Sequence, residues 1–167
     1  TDIAARAIGQ DIAAQTGQTV VIDNKPGAEG QIAAQSAATA APDGYTLFFT
    51  TQTTQAINPH VYKSLAYDPV KSFAPIAGIT LGAQIVMVRN DLPAKTIQEF
   101  IALAKAQPGK VFFASAGNGT TSHLAGELFK TAAGVDIVHV PYRGGALAAA
   151  DLAGGQVQMM IDVMPNV

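Results

Sequence analysis

The sequence contains no cysteine and no tryptophan, and only 13% of its 167 residues are charged. The absence of cysteine excludes disulfides, thiol nucleophiles and cysteine-bound zinc. The formal net charge is −2 and the lysines and arginines are scattered, so the chain lacks the basic surface with which proteins neutralise nucleic-acid phosphates. No apolar run approaches the roughly 20 residues of a transmembrane helix, which predicts that the chain does not span a membrane.

Hydrophobic residues make up 49% of the sequence, a proportion typical of globular proteins with an apolar core. A single core usually organises roughly 100–200 residues, so the length allows one domain or two small lobes. The chain begins with Thr1 rather than methionine, as expected of a mature or truncated product with no targeting segment left to read.

The first half of the chain predicts helices that alternate with strands. An alanine-rich helical pattern runs from Asp2 to about Thr16, and Gly17 stands where a glycine commonly ends a helix. The β-branched run 19–22 and the run 45–50 have the composition of strands. Such an alternation is typical of α/β proteins.

A polar segment, residues 50–55, follows the second predicted strand directly. In parallel α/β sheets the binding loops lie beyond the carboxyl ends of the strands, so Thr51 and Thr53 are candidate ligand-binding residues. The alternative is a solvated loop without a binding role, and the pattern does not separate the two.

The second half has a clearer α/β pattern. Thr96 and Glu99 form a capping box at the start of a predicted helix that carries Ile97 and Phe100 inward. Three apolar strand candidates follow, alternating with helices at about 122–133 and 146–153; the strands are Val111–Ala114, Ile137–Val140 and Val157–Ile161. Apolar strands without alternation are typical of a parallel sheet covered on both faces, so the predicted class is α/β.

A lobe boundary is expected close to the turn-rich segment 90–93. Segments of this kind commonly connect packed units. The prediction is a partial first lobe of residues 1–88 and a partial second lobe of residues 89–167.

The segment from Ser115 to His123, here called the glycine loop, lies between a predicted buried strand and the start of a predicted helix. Glycines let the backbone approach a ligand, the first N–H groups of a helix lack intrahelical acceptors, and the helix dipole favours an anion there. The loop is therefore predicted to bind an anionic group. Its candidate binding residues are Ser115, Ala116, Gly117, Gly119, Thr120, Thr121, Ser122 and His123.

Nucleotide binding is an alternative function for the glycine loop, because residues 117–122 partly match the dinucleotide pattern G-x-G-x-x-G. Ser122, however, replaces the third glycine. Asp136 precedes the next predicted strand, whereas the acid that binds a ribose follows that strand. These departures disfavour a nucleotide.

Hydrolysis is a second alternative, in which Ser115 or Ser122 would act with His123 and Asp162. The sequence has no G-x-S-x-G motif, and Ser122 and His123 are adjacent in one helical turn, where neighbouring side chains do not face each other.

His123 and Glu127 share a helix face, as a pair of metal ligands would. Two ligands, however, do not make a metal site. A structural hydrogen bond between the two side chains is therefore the default expectation.

Two further positions follow predicted strands and are candidates for ligand contact. Tyr142 and Arg143 lie in a loop between a strand and a helix, with surface packing and solvation as the alternative roles. Asp162 follows the last predicted strand, where a carboxylate would point into the crevice beyond the sheet.

Many short segments, spread over the whole chain, occur in the order expected of one protein family. Besides Thr1-Asp2-Ile3 they are NKPGA at 24–28, APDGYTL at 41–47, INP at 57–59, YDP at 67–69, FAPI at 73–76, SAGNG at 115–119, HLAGELF at 123–129 and VHVPY at 138–142. Together they resemble the Bug/TctC-type extracytoplasmic receptors of tripartite tricarboxylate transport systems.

The resemblance implies a two-lobed fold of the type II periplasmic-binding-protein kind, here incomplete at both ends. It implies a periplasmic protein that captures a small organic carboxylate between its lobes and delivers it to membrane transporter subunits, without a cofactor or metal and without catalysis. The implied ligand is a di- or tricarboxylate, an aromatic carboxylate or an acidic amino acid. The carboxylate would be held by the glycine loop, by the loop after Thr50, and by a third loop that ends at Asp2. A receptor that presents its ligand to a signalling protein is the remaining alternative.

Overall fold

The structure is a computed structural model that describes residues 1–163. The chain forms two compact units, Thr1–Pro75 and Ile76–Val167. Helices and strands together confirm the predicted α/β class. The elements are α1 (Asp2–Thr16), a 3₁₀ turn (Ala28–Gly30), α2 (Gln31–Ala38), a π-helical turn (Thr53–Ile57), α3 (Asn58–Val61), β1 (Gln84–Val88), α4 (Ile97–Ala106), β2 (Val111–Ser115), α5 (Thr121–Ala133), β3 (Ile137–Pro141), α6 (Gly145–Ala153) and β4 (Met159–Val163).

Helix α1 confirms the first predicted helix. It begins where the Ala5 amide donates to the Thr1 carbonyl at 3.0 Å. It ends at Gly17, which has a φ of 70°, and the Gly17 amide donates to Ala13. A glycine adopts this left-handed conformation without the steric cost that a side chain would bring.

The strand predictions for residues 19–22 and 45–50 are wrong. Neither segment pairs with another strand within residues 1–163. Val21 is 81% exposed and Tyr45 is 89% exposed. β-branched and aromatic residues form a strand only where a neighbouring strand pairs with them, and within the described residues these two segments have no such neighbour.

The second unit contains a four-stranded sheet in the order β1-β4-β2-β3. Strand β2 pairs in parallel with β3 on one side and with β4 on the other, which confirms the predicted β-α-β-α-β series. Strand β1 adds an antiparallel edge, with Gln84 opposite Val163. Residues 84–88, assigned from the sequence to the first lobe, therefore belong to the sheet of the second unit.

Two apolar layers cover the faces of this sheet. On one face Phe113, Ile137 and Met159 pack with Phe100 of α4 and with the apolar side of α5. On the other face a smaller cluster around Met160 packs against α6. Because side chains alternate between the two faces of a strand, burial on both faces explains why β2 and β4 are apolar without alternation.

The start of α4 differs in detail from the predicted capping box. The Thr96 hydroxyl accepts from the Glu99 amide at 3.2 Å, as predicted. The Glu99 carboxylate accepts instead from the amide of Lys95, one residue before the cap, at 2.6 Å. Phe100 is buried, whereas Ile97 is 40% exposed and does not point inward as expected. An N1 residue lies at the edge of the apolar stripe, which accounts for its exposure.

Candidate functional site

The glycine loop connects the end of β2 to the start of α5 in the second unit. Gly117 and Gly119 have φ values of 136° and 75°, a region of backbone space that residues with a side chain rarely adopt. Both glycines are buried, and Asn118 between them is exposed. The loop therefore follows a path that depends on glycine at two positions.

Three buried hydroxyl groups fix the inside of this loop. The Ser115 hydroxyl accepts from the Gly117 amide and donates to the Gly117 carbonyl, each at 3.1 Å. The Thr120 hydroxyl donates to the same carbonyl at 2.7 Å, and the Ser122 hydroxyl accepts from the Ala116 amide at 2.9 Å. These hydroxyls hold the loop in shape and are directed at its own backbone.

The donors that remain for an anion are at the start of α5. The amides of Thr121 and Ser122 lie in the first helical turn, where a helix provides no intrahelical acceptor. The partly buried Thr121 hydroxyl forms no hydrogen bond within the described part of the chain, unlike the hydroxyls of Ser115, Thr120 and Ser122. The helix dipole adds partial positive charge at this end. The geometry is therefore suited to an anion held by neutral donors.

Two histidines stack beneath the glycine loop. The rings of His123 on α5 and His139 on β3 lie 4.0 Å apart with an interplanar angle of 19°. The His123 Nδ1 atom accepts from the Gly119 amide at 3.0 Å. The His139 Nε2 atom is 2.6 Å from the Ser115 hydroxyl. The sequence analysis did not name His139 as a candidate site residue. Because alternate residues of a strand lie on the same face, its position two residues after the buried Ile137 was the available signal.

The second candidate loop, residues 142–144, is joined to the glycine loop through the backbone. The Tyr142 amide donates to the Ser115 carbonyl at 3.0 Å, and the Gly144 amide donates to the Ala116 carbonyl at 3.2 Å. The Tyr142 hydroxyl donates to Asp151 of α6 at 2.7 Å. Arg143 is exposed. Tyr142 therefore packs toward α6, and it supports the glycine loop through its amide.

Replacing Tyr142 with phenylalanine should lower the unfolding free energy by about 1 kcal/mol, because the hydrogen bond to a charged acceptor is lost from a partly buried site. Burial and the Asp151 carboxylate raise the pKa of Tyr142 to about 12, so the hydroxyl remains a donor at neutral pH. Urea unfolding measures the effect, with Tyr45→Phe at a position 89% exposed as the matched control. Equal losses in the two variants would contradict the stabilising role.

The remaining candidate residues, Asp2, Thr51, Thr53 and Asp162, are not part of the glycine loop or of the second candidate loop. Asp162 is inside β4 rather than beyond it, is buried, and accepts from the Val163 amide at 2.8 Å. In the first unit, Asp2 accepts from Arg6 at 3.0 Å and from Asn24 at 2.6 Å, and these bonds lower its pKa. The segment predicted as a loop after residue 50 is helical from Gln52 onward; it leaves Thr51 exposed and buries Thr53.

A polar cluster in the first unit was not predicted. The buried Tyr67 hydroxyl donates to the Thr54 carbonyl at 2.6 Å. Asn58, also buried, donates to the Glu29 carbonyl and to Tyr67. The Tyr62 hydroxyl donates to the Glu29 carboxylate, and that bond together with burial raises the Tyr62 pKa to about 12. Asn58 lies in the INP segment and Tyr67 in the YDP segment. These two motif matches were the sequence signal that could have drawn attention to the cluster.

The structure does not assemble the hydrolase arrangement considered from the sequence. Ser122 is buried and bonds to Ala116 and Thr120, and within residues 1–163 no hydrogen bond joins it to His123.

The His123 Nε2 atom lies 3.9 Å from Glu127. The described residues contain no group of three His, Asp or Glu side chains placed to hold a metal. Nor does any helix in that range have the length and apolar character that crossing a membrane requires.

The backbone of the chain is that of periplasmic binding proteins. An R. palustris protein solved with adipate matches it with a TM-score of 0.97 at 38% identity, covering 99% of this chain and 56% of its own. MatC from Rhodopseudomonas palustris, solved with bound malate, has a TM-score of 0.88 at 34% identity, with coverages of 99% and 56%. The periplasmic binding protein BugD has a TM-score of 0.86 at 36% identity, with coverages of 98% and 54%.

The chain therefore has the fold class of the periplasmic binding proteins. Residues 4–167 match the tripartite tricarboxylate transporter family receptor, TctC, and the chain belongs to this family. A UPF0065 protein of Bordetella pertussis is 38% identical over 159 residues, which are 95% of this chain and 49% of that protein. BugT of the same species is 33% identical over 168 residues, 100% of this chain and 52% of BugT. The chain spans about half the length of the curated relatives it matches, and the predicted family resemblance is confirmed.

Proposed function

We propose that the protein is an extracytoplasmic receptor that captures a small organic carboxylate, with a dicarboxylate as the first candidate. The observation that carries the proposal is the glycine loop at the start of α5, a site of neutral donors at a helix N-terminus. The relatives solved with adipate and with malate, both dicarboxylates, support this ligand class. The same proposal includes delivery to membrane transporter subunits and a periplasmic location, and membership of the family supports both.

The chemistry of the loop explains how a carboxylate can be held there without an ion pair. The stretch from Ser115 to His123 contains no lysine or arginine. Hydrogen bonds to a charged acceptor contribute about 1.5–3 kcal/mol each, so a few converging amides and one hydroxyl provide enough attraction. The bound carboxylate is therefore expected to face the amides of Thr121 and Ser122.

A ligand screen by thermal unfolding tests the proposal. A bound ligand at 100 times its Kd stabilises the native state by about 2.7 kcal/mol, which is readily seen as a higher unfolding temperature. Adipate and malate are the first probes, and neutral adipamide is the matched control for adipate. Stabilisation by a carboxylate and none by adipamide supports the proposal. No stabilisation by any di-, tri- or aromatic carboxylate or acidic amino acid contradicts it.

Thr121→Val should weaken carboxylate binding about tenfold, or roughly 1.4 kcal/mol, because it keeps the side-chain shape but removes a donor. Arg143→Gln should do less, since this exposed cation lies outside the glycine loop. Isothermal titration calorimetry measures both variants. Because dipoles provide the attraction, affinity should fall only modestly between low and physiological salt.

A larger loss in Arg143→Gln than in Thr121→Val, together with a collapse of affinity in salt, would show an ion-pair site. That result would contradict the mechanism while leaving carboxylate binding itself intact.

A further inference from the structure

His139 lies on β3, outside the glycine loop, yet its ring is held on both sides. The Phe113 ring stacks on it with centroids 4.9 Å apart and an interplanar angle of 27°. His123 stacks on it at 4.0 Å. The Nε2 atom points to the buried Ser115 hydroxyl at 2.6 Å. The ring is therefore fixed in position and aimed at a group that shapes the loop.

The hydrogen count at Ser115 assigns the His139 tautomer. A hydroxyl donates one hydrogen bond and accepts two. With Ser115 donating to the Gly117 carbonyl and accepting from the Gly117 amide, all three contacts of the hydroxyl are satisfied together when His139 is the donor. Nε2 of His139 therefore carries the proton, and all three bonds exist together. Removal of this donor leaves the Ser115 hydroxyl with one bond fewer to the interior.

His123 holds Gly119, the other glycine of the loop, and does so as a hydrogen-bond acceptor. Its Nδ1 atom accepts from the Gly119 amide, which requires Nδ1 to be unprotonated. Its Nε2 atom faces Glu127 at 3.9 Å. The two stacked imidazoles thus hold Gly117, through Ser115, and Gly119 directly. Only the His123 bond requires a neutral ring, because Nε2 of His139 donates whether or not its Nδ1 atom is protonated, and the pH effect at His139 therefore arises from the burial of its ring.

The surroundings of the pair oppose a charge on His139. Burial, with a smaller contribution from His123, lowers the pKa of His139 from 6.5 to about 4, and Glu127 acts weakly in the opposite direction. From β2 the ring meets Phe113 and Ser115, which are not charged. Asp162 of β4 alternates with Ile161, which packs in the α5-side cluster, and so lies on the other face.

We infer that His139 is a positioning residue of the binding site, which acts through Ser115 and together with His123 to keep the glycine loop in its ligand-binding conformation. The inference rests on the proposed function for its effect on affinity. Its effect on the loop itself does not need a ligand. Because the held ring binds a proton less readily than a released ring, acid favours release. The holding effect is complete above about pH 6.5 and is lost as the pH falls toward about 4.

Two substitutions separate the hydrogen bond from the stacking. His139→Phe keeps a stacked ring and removes the donor, and it should weaken adipate or malate binding about tenfold. His139→Gln places an amide donor near the former Nε2 position, cannot be protonated, and should keep affinity within about threefold of the wild type. Ser115→Ala should weaken binding at least as much as His139→Phe, because it also removes the two bonds to Gly117, and adding His139→Phe to it should cost little more. His60→Phe, at an exposed histidine of the first unit, is the matched control.

The pH dependence of affinity is the measurement that distinguishes a positioning role from a purely structural one. The ratio of wild-type Kd to His139→Gln Kd should rise by about threefold or more between pH 7.5 and pH 5, since the ligand's own titration cancels in the ratio. A flat ratio, or equal affinity in His139→Phe and wild type, would overturn the inference.

NMR on the ligand-free protein keeps the inference distinct from the proposed function. We expect nitrogen-15 spectra to show Nε2 protonated in both histidines, and amide exchange at Gly117 and Gly119 to become faster in His139→Phe but not in His60→Phe. If no carboxylate binds, the proposed function fails, and these measurements still decide the positioning role. A proton on Nδ1 of His139, or unchanged exchange in His139→Phe, would contradict it.

Discussion

Replacing Gly126 with alanine is expected to destabilise the second unit by about 2–3 kcal/mol, although the same change inside an ordinary helix stabilises by about 1 kcal/mol. Gly126 lies in α5 against the fully buried ring of Phe113. A Cβ atom there would meet the ring carbons of Phe113 at 2.1, 2.6 and 2.8 Å. The ring cannot move aside easily because His139 stacks on it. Urea unfolding followed by circular dichroism measures the loss.

A double-mutant cycle tests the cause of this loss. Phe113→Leu removes the ring atoms that a Cβ at position 126 would meet, at its own cost for the space that it leaves. In that background Gly126→Ala should cost less than about 1 kcal/mol or should stabilise, so the two changes should be strongly non-additive. The same loss in both backgrounds would show that the destabilisation has another origin than this contact.

Gly119→Val is expected to reduce carboxylate affinity by about 100-fold or more, which corresponds to roughly 2.7 kcal/mol. At a φ of 75° a branched side chain is strained, and relief of that strain would move the amides of the glycine loop. The change would also displace the Gly119 amide from the His123 ring, 3.0 Å away. Calorimetric titration with adipate and malate measures the loss, and circular dichroism establishes that the variant is folded.

The matched control for this variant is Gly134→Val. Gly134 ends α5 with a φ of 61°, and an added Cβ would have no neighbour within 4 Å. Both substitutions therefore introduce similar backbone strain, but only one of them alters the glycine loop. We expect Gly134→Val to lose comparable stability and to keep its affinity within about threefold. Equal losses of affinity in the two variants would remove the glycine loop from the binding site.

The parts of the fold that were predictable from sequence are those whose pattern reflects burial on two faces. Strands β2, β3 and β4 appear as short apolar runs between helices, and each was predicted within a few residues of its position. Residues 45–50 have a similar composition but pair with no strand among residues 1–163. A strand is defined by its neighbour as much as by its own residues, and the neighbour is not encoded locally.

The geometry of the candidate site was predictable only in part, for a related reason. A glycine-rich turn between a strand and a helix is a local feature, so the glycine loop and the position of Thr121 followed from the order of residues. The contact of His139 with Ser115 joins two strands across 24 positions of sequence. The interior use of the Ser115 and Ser122 hydroxyls likewise depends on the folded backbone, and the residue types alone suggested ligand donors instead.

The three buried hydroxyls of the glycine loop have a consequence for the entropy of binding. Ordering a flexible side chain at an interface costs about 0.5–1.5 kcal/mol, and a mobile loop costs more. Here the hydroxyls of Ser115, Thr120 and Ser122 restrict the torsions of the loop backbone through hydrogen bonds within the protein itself. A rigid loop loses little conformational freedom when it is occupied. Differences in affinity among carboxylates should therefore arise from the side chains that surround the loop, while the loop itself contributes nearly the same free energy to each.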